Sequence, residues 1–209
     1  MLIKLPSGLR ICVYPSLFSR LLHRDLTIRS GSAFHPRHVT SRLCLELLDH
    51  ALESGACIKL LDVGCGSGIL ALAGASMGIP VAVGLDIDPR AVFLSRENAQ
   101  RNRLVGKAHW FVGTVEAVRG RFDCIIANLP FEAILDNLDD LARLLESKGR
   151  LILSGFQDIQ WHVIHDELAY RGMSIDKTCS GDLAFYGVPP SGSFTWMAVK
   201  ARKTKEVEA

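Results

Sequence analysis

The sequence lacks several features that define broad classes of protein. No apolar run in its 209 residues approaches the roughly 18 to 20 residues of a membrane-spanning helix. Its first residues, MLIKLPSGLRICVY, contain no uninterrupted apolar core and no small-residue cleavage pattern, so we expect no secretory signal. Internal repeats and low-complexity linkers are absent as well. We therefore predict a cytoplasmic protein that does not associate with membranes.

An excess of charge of one sign is also lacking. Lys and Arg number 24 and Asp and Glu 22, which gives a formal net charge of +2. This value is too small to favour nucleic acid or an anionic membrane as a partner, although a charged face is not excluded by it. The hydrophobic fraction of 48% is ordinary for a globular domain, and the composition leaves the oligomeric state open.

Metal-binding and redox motifs are missing too. The six cysteines include no C-x-x-C pair, and we expect them to be reduced and mostly buried. Two histidine pairs, His35 with His38 and His162 with His165, have helix-compatible spacing, but no Cys, Asp or Glu completes a ligand set. We therefore predict no metal site.

From about residue 59 onward, short apolar runs alternate with helical segments. The predicted strands are 59–63, 81–87, 109–112, 123–127, 150–154, 173–179 and 194–200. The predicted helices are 40–52, 69–77, 89–102, 133–147 and 159–170, with Asp88 as an N-cap. This alternation predicts a doubly wound α/β fold whose seven-stranded sheet is mostly parallel. The last strand is expected to be antiparallel, because no helix separates it from the strand before it.

The predicted domain organisation is simple. Residues 1–30 are less regular and are expected to form an N-terminal arm or hairpin. Residues 31–203 are expected to form one domain, and residues 204–209 a disordered tail.

A glycine-rich loop joins the first strand of the alternating region to its helix, in LLDVGCGSGILALA (residues 60–73). Gly64, Gly66 and Gly68 form the pattern G-x-G-x-G, which lets the backbone turn sharply and stay open to a ligand. A dinucleotide fingerprint would need a third glycine where Ile69 stands, and no P-loop motif is present. A tight strand–helix turn in an unrelated doubly wound fold is the alternative interpretation.

Two acidic residues narrow the choice of ligand. Asp86 ends the next strand, where a carboxylate suits the two hydroxyls of an adenosine ribose. Asp62 precedes the loop, where it would repel phosphate and tolerate a cationic ligand. S-adenosylmethionine, which has a ribose, a sulfonium and no phosphate, meets both conditions. The predicted cofactor-binding residues are Asp62, Gly64, Cys65, Gly66, Gly68, Asp86, Ile87, Thr114 and Asn128.

Two of these residues have an alternative interpretation that involves no cofactor contact. Cys65 is more simply a small filler of the loop than a nucleophile. Thr114, after the third strand, could approach the adenine or lie in an ordinary surface turn.

The glycine loop, VGLDIDPRAVFLSRENAQRN (residues 83–102) and RLILSGF (residues 150–156) carry a family resemblance. The chain resembles class I S-adenosylmethionine-dependent methyltransferases over residues 27–200. It is most similar to ribosomal-protein methyltransferases of the PrmA type, which implies a Rossmann-like fold and methylation of a protein. Enzymes of that type carry a substrate-recruiting domain ahead of the catalytic one, whereas only about 30 residues are available for it in this sequence.

Two segments depart from the PrmA pattern. Where that type has N-I-L or similar, this chain has Asn128-Leu129-Pro130-Phe131, which is closer to the N-P-P-Y/F motif of PrmC-type glutamine and nucleic-acid amino methyltransferases. HPRHVTSRL (residues 35–43) likewise has features of both the PrmA and the PrmC type. The resemblance of Asn128-Leu129-Pro130-Phe131 implies methylation of a planar nitrogen.

The four residues have a chemical interpretation at the end of the fourth strand. The Asn128 side-chain oxygen and the Leu129 carbonyl could accept the hydrogens of a planar nitrogen, which is a poor nucleophile. Pro130 would fix the turn without supplying an N–H, and Phe131 would stack on the planar group. A lysine acceptor would instead have to lose a proton, since its ordinary pKa is about 10.4.

An alternative without substrate contact also exists. Asn128 could cap the following helix, with Pro130 in the turn and Phe131 packed inward.

These observations predict an S-adenosylmethionine-dependent N-methyltransferase that acts on a protein, such as a ribosomal protein or a translation factor. A nucleic-acid amino methyltransferase is the first alternative, and a basic stripe around the Asn128 site would favour it. A cofactor-binding subunit without catalysis, which acts by contact with a partner, is the second.

Overall fold

The computed structural model describes residues 2–13, 25–30, 38–53, 55–182 and 195–203. The strands in these residues are β1 (Leu2–Lys4), β2 (Arg10–Val13), β3 (Asp25–Ile28), β4 (Lys59–Val63), β5 (Val81–Asp86), β6 (Ala108–Val112), β7 (Phe122–Asn128), β8 (Leu145–Gln157), β9 (Met173–Gly181) and β10 (Trp196–Lys203). The α-helices are α1 (Val39–Glu53), α2 (Ile69–Ser76), α3 (Pro89–Arg101), α4 (Phe131–Leu144) and α5 (Trp161–Tyr170).

Seven strands of the described residues form one central sheet in the order β6-β5-β4-β7-β8-β10-β9. Strands β4 to β8 pair in parallel, and β10 runs antiparallel between β8 and β9. The predicted fold class is therefore confirmed. The chain leaves β4 in one direction for β5 and returns on the other side as β7, so a crevice opens at the carboxyl ends of these strands.

Both faces of the sheet are buried, as its near-continuous apolar strands require. Along β7, Cys124 and Ile126 face a layer formed by α1, α2 and part of α3, whereas Ile125 and Ala127 face a layer formed by α4 and α5. The leucine periodicity of α4 buries one face of that helix, with Leu138 fully enclosed.

A second, three-stranded sheet packs against the first layer. Strand β1 pairs antiparallel with β2, and β3 pairs parallel with β2. Asn98 of α3 and Asn102, the residue that follows this helix, hold β3 and the residue after it. The Asn102 side chain accepts the N–H of Thr27 at 2.8 Å and donates to the Thr27 carbonyl at 2.7 Å. The Asn98 side chain likewise accepts the N–H of Arg29 and donates to its carbonyl, both at 3.0 Å. The domain boundary near residue 30 stays a prediction, and residues 204–209 lie outside the described residues.

Most predicted boundaries agree with the structure to within one or two residues, and the N-cap at Asp88 is confirmed by its 2.9 Å bond from the Arg90 N–H. One helix is predicted too long. Helix α4 ends at Leu144, because Leu145 already pairs with Phe122 as the first residue of β8. The start of α5 is also later than predicted, since a 3₁₀ turn precedes it at Asp158–Gln160.

Three further observations concern the predicted absences. Among the described residues, no helix combines the length and apolar character needed to cross a membrane. No group of three or more His, Cys, Asp or Glu side chains in the same residues is arranged to hold a metal ion. All six cysteines carry free thiols, and four of them are buried.

Candidate functional site

A cleft of about 710 Å³ opens at the carboxyl ends of β4, β5 and β7. Its described wall comes from the glycine loop, the ends of the neighbouring strands, the first turn of α4 and the start of β10. The wall includes Gly64, Gly66, Asp86, Ile87, Asp88, Thr114, Asn128, Leu129, Pro130, Phe131, Glu132, Gly155, Gln157, Gln160 and Trp196.

The glycine loop is held open by its backbone conformation. Gly64, Gly66 and Gly68 have φ values of +72°, +54° and +76°, which glycine adopts without steric cost. The N–H of Gly64 donates to the Leu85 carbonyl at 2.9 Å, which ties the loop to the end of β5. A Cβ on Gly64 would overlap the side chain of Leu129, so the loop and the Asn-Leu-Pro-Phe turn are in direct contact.

Asp86 reaches the cleft as predicted, but it also supports the loop. Its two carboxylate oxygens accept the N–H groups of Gly66 at 3.0 Å and Asp88 at 2.9 Å. Each oxygen keeps a second lone pair, so the carboxylate can still receive two ligand hydroxyls. Ile87, which is 75% exposed, and Thr114 line the same end of the cleft.

Asp62, Cys65 and Gly68 do not line the cleft, although the sequence predicted cofactor contacts for them. Asp62 is 1% exposed, and its Oδ2 accepts the N–H of Ala71 at 3.1 Å, which anchors the first turn of α2. Burial raises the pKa of Asp62 to about 7, and the Ala71 bond opposes that rise. Its Oδ1 has no hydrogen-bond partner among the described residues. Gly68 caps α2, where a Cβ would press on Trp110 at 2.6 Å.

Cys65 packs beneath the loop rather than facing a ligand. Its Sγ lies 3.6 Å from the Ser95 hydroxyl, and burial raises the pKa of its thiol well above the ordinary range. A neutral, enclosed thiol is a poor nucleophile. The geometry agrees with the interpretation of Cys65 as a small filler of the loop.

Asn128 is the last residue of β7 and lies on the cleft wall. It does not cap the next helix, because α4 has Pro130 at its N-cap and no side-chain cap bond, so the capping role in that alternative is wrong. Its Nδ2 donates to the Ser41 hydroxyl of α1 at 3.4 Å. Its Oδ1 is buried and has no hydrogen-bond partner among the described residues.

The rest of the turn fits tightly around a glycine of β8. The N–H of Leu129 donates to the Ser154 carbonyl at 3.0 Å, and the Leu129 carbonyl lies against Gly155. Gly155 has a φ of +104°, and a Cβ there would overlap that carbonyl oxygen. Phe131 both lines the cleft and packs on the α4 and α5 core, so the inward packing and a substrate contact are not exclusive.

Several wall residues were not predicted from the sequence. Gly155 had a local signal, since a glycine directly after a buried strand often marks close approach of another backbone. Trp196 had none, because the antiparallel return of β10 brings it to the cleft. The His38 ring packs edge-on against Trp196 at a centroid distance of 5.0 Å. Partial burial lowers the pKa of His38, which favours its neutral form.

The charge on the cleft wall is negative. Asp86, Asp88 and Glu132 line it, and no Lys or Arg lies among its described residues. Asp88 is also paired with Arg90 at 3.0 Å, outside the wall.

The strand order, the antiparallel β10 and the glycine loop at the crevice define a Rossmann-like methyltransferase fold. Residues 6–182 match the sequence profile of the family described as Ribosomal protein L11 methyltransferase (PrmA). The chain belongs to this family.

Two members of this family are similar to the chain in sequence and in structure. The ribosomal protein L11 methyltransferase of Sorangium cellulosum (strain So ce56) is 40% identical over 156 residues, which is 74% of this chain and 48% of that protein. A ribosomal protein L11 methylase from Lactobacillus delbrueckii subsp. bulgaricus superposes with a TM-score of 0.74 at 25% identity, over 97% of this chain and 95% of that one.

A third likeness concerns the fold alone. The magnesium protoporphyrin IX methyltransferase of Synechocystis PCC 6803, solved with bound S-adenosylmethionine, has a TM-score of 0.63 at 22% identity, over 79% of this chain and 82% of that one. The chain spans about half the length of the curated relatives it matches.

Proposed function

We propose that the chain is the catalytic part of an S-adenosylmethionine-dependent N-methyltransferase that modifies a protein. One observation carries the proposal. The buried Oδ1 of Asn128 has no hydrogen-bond partner among the described residues, and Asn128 stands on the wall of the cleft that the glycine loop and Asp86 also line. A buried acceptor left unpaired costs about 1 to 3 kcal/mol, so the Asn128 side chain would gain by pairing this oxygen with a donor on a bound molecule.

The other end of the cleft fits S-adenosylmethionine. The open backbone of Gly64 and Gly66 leaves room for a ligand, and the spare lone pairs of Asp86 suit the two ribose hydroxyls. Ile87 and Thr114 would flank the adenosine. The cofactor is the one bound in the magnesium protoporphyrin IX methyltransferase of the same fold. When bound, it supplies a methyl group activated by its sulfonium charge.

The acceptor end is assigned to the Asn-Leu-Pro-Phe turn. Asn128 Oδ1 would accept an N–H of the incoming nitrogen and orient its lone pair. Phe131 would pack on the group that carries this nitrogen. Glu132 would attract a positively charged amine, which must release a proton to water before its lone pair can attack the methyl group. The likeness of the turn to the PrmC-type motif stays a prediction. If it holds, the methyl acceptor would be a planar amide nitrogen of a protein.

The sign of the charge favours a protein over a nucleic acid. A phosphate backbone is bound through Lys and Arg, whereas the described wall offers three carboxylates and no cation. The relatives are named for ribosomal protein L11, which makes that protein the first acceptor to test. Residues 31–203 are proposed as the catalytic domain.

Transfer of label from S-adenosylmethionine tests the proposal. The purified chain would be incubated with labelled cofactor and either ribosomal protein L11, total bacterial RNA or a bacterial cell extract, followed by protease or nuclease digestion. We expect protease-sensitive label. Nuclease-sensitive label would support the nucleic-acid alternative, and cofactor binding without label in any arm would support the non-catalytic one.

A further inference from the structure

The first turn of α1 contacts the acceptor end of the cleft at two points. Ser41 Oγ lies 3.4 Å from Asn128 Nδ2, and the His38 ring packs against Trp196. Both partners line the cleft, whereas neither Ser41 nor His38 is among its described wall residues. The turn therefore forms a supporting layer behind the wall.

The polar side chains of this turn are buried, which demands hydrogen-bond partners for them. Thr40 is fully buried, and its hydroxyl bonds the His38 ring at 2.9 Å. Ser41 is 2% exposed, and its backbone N–H donates to the His38 carbonyl at 3.1 Å. Its hydroxyl receives the Asn128 amide, which lies 87 residues further along the chain. Because this buried serine bonds a cleft residue that is distant in the chain, its hydroxyl supports the cleft wall as well as the packing of α1.

We propose that Ser41 is a positioning residue that anchors the Asn128 side chain at the acceptor end of the cleft through its amide nitrogen. By accepting one hydrogen of Nδ2, the Ser41 hydroxyl fixes the position of the amide and leaves Oδ1 to receive a hydrogen from the acceptor nitrogen. This inference rests on the proposed function of Asn128.

Substitution of Ser41 tests the inference through kcat. Ser41→Ala removes the hydroxyl, and we expect kcat for methylation of ribosomal protein L11 to fall about fivefold to tenfold, the value of one hydrogen bond. The affinity for S-adenosylmethionine, measured by calorimetry, should change less than about twofold, because Ser41 lies behind the acceptor end. Ser41→Thr keeps a hydroxyl and should restore most of kcat.

A double-variant cycle separates positioning from a general structural effect. In an Asn128→Ala background, Ser41→Ala should cause no further loss of kcat, because the group that it positions is gone. If Ser41→Ala lowers the unfolding temperature, Ser41→Cys, which is nearly the same size and a weak acceptor, replaces it in the cycle.

Each outcome has a distinct meaning. A kcat of Ser41→Ala within about twofold of the unchanged chain, or an equal loss in both backgrounds, would overturn the positioning role while leaving the proposed function intact. Full turnover by Asn128→Ala itself would overturn the role of Asn128 and the positioning role together.

Discussion

The loop after β4 and the turn after β7 lie against each other on neighbouring strands, yet they are built in opposite ways. The loop consists largely of glycines with positive φ, and its backbone N–H groups are bonded to Leu85 and Asp86. The turn contains no glycine, is stiffened by Pro130 and keeps a buried acceptor unpaired at Asn128. An open backbone suits a bound cofactor, whereas a rigid turn with an unpaired acceptor suits a reacting nitrogen.

The two ends of the cleft also differ in how they are assembled. The cofactor end comes almost entirely from residues 63–91 and 113–115, at the carboxyl ends of the three consecutive strands β4, β5 and β6. The acceptor end combines residues 128–132, 155–160 and Trp196, backed by α1. Substitutions at the first end should therefore change cofactor affinity and loop stability, and substitutions at the second should change turnover.

The largest expected effect concerns Asp62 beneath the glycine loop. Its folded-state pKa of about 7 lies above the ordinary value of 3.8, so the folded protein holds this proton more tightly than the unfolded chain does. The resulting stabilisation is present below about pH 4 and is lost as the pH rises toward 7. The Asp62→Asn side chain cannot ionise, so the variant should avoid this loss. At neutral pH its unfolding free energy should exceed that of the unchanged chain by at most about 4 kcal/mol.

Chemical denaturation of both proteins across that pH range measures the difference. The unfolding free energy of Asp62→Asn minus that of the unchanged chain should grow with pH and level off above 7. If this difference in unfolding free energy did not depend on pH, the Asp62 carboxyl would not be buried beneath the loop with a raised pKa.

Gly155→Ala tests how tightly the acceptor turn is packed. The new Cβ would adopt an unfavourable φ of +104° and overlap the Leu129 carbonyl, so we expect a loss of about 3 kcal/mol of unfolding free energy. Gly120→Ala is the matched control, because Gly120 has a φ of +90° and a Cβ there would meet no atom within 4 Å. It should lose only about 1 kcal/mol. Equal losses in thermal unfolding would mean that the Leu129 carbonyl does not lie against β8 as described.

Asp86→Ala tests the cofactor end. It removes a charged acceptor for two ligand hydroxyls and the bond to the Gly66 N–H, so the Kd for S-adenosylmethionine should rise about a hundredfold. Calorimetry measures it directly. Asp123→Ala is a suitable control, because Asp123 similarly accepts two backbone N–H groups, of Ile58 and Lys59, outside the cleft. An unchanged Kd in Asp86→Ala would rule out the ribose assignment.

The sequence predicted the fold well because the signals are local. Apolar runs of strand length, the glycine loop and the Asp88-Pro89 helix start each act within a few residues, and all three appear in the structure. The end of α4 was missed because Leu144 and Leu145 continue the helical leucine spacing, while pairing with β7 draws Leu145 into the sheet. Periodicity alone does not reveal such tertiary pairing.

The site could be predicted only in part, because local sequence signals do not show which distant elements pack together. Asp86 and Asn128 follow directly after strands, so their place at one edge of the sheet follows from the topology. Asp62 lies beneath the loop and off the cleft wall, and its separation from the loop in sequence does not show that its side chain points toward Ala71. Ser41 and Trp196 are brought to the acceptor end by α1 and β10, and no motif near them signals that arrangement.

The most direct test of the division into two ends is to measure the kcat and the cofactor Kd of Asn128→Ala on one preparation. With ribosomal protein L11 as acceptor, we expect kcat to fall about thirtyfold, because one acceptor for the reacting nitrogen is lost. The Kd for S-adenosylmethionine should stay within about twofold, since the loop and Asp86 are untouched. An unchanged kcat, or a loss that appears wholly as weaker cofactor binding, would contradict the account.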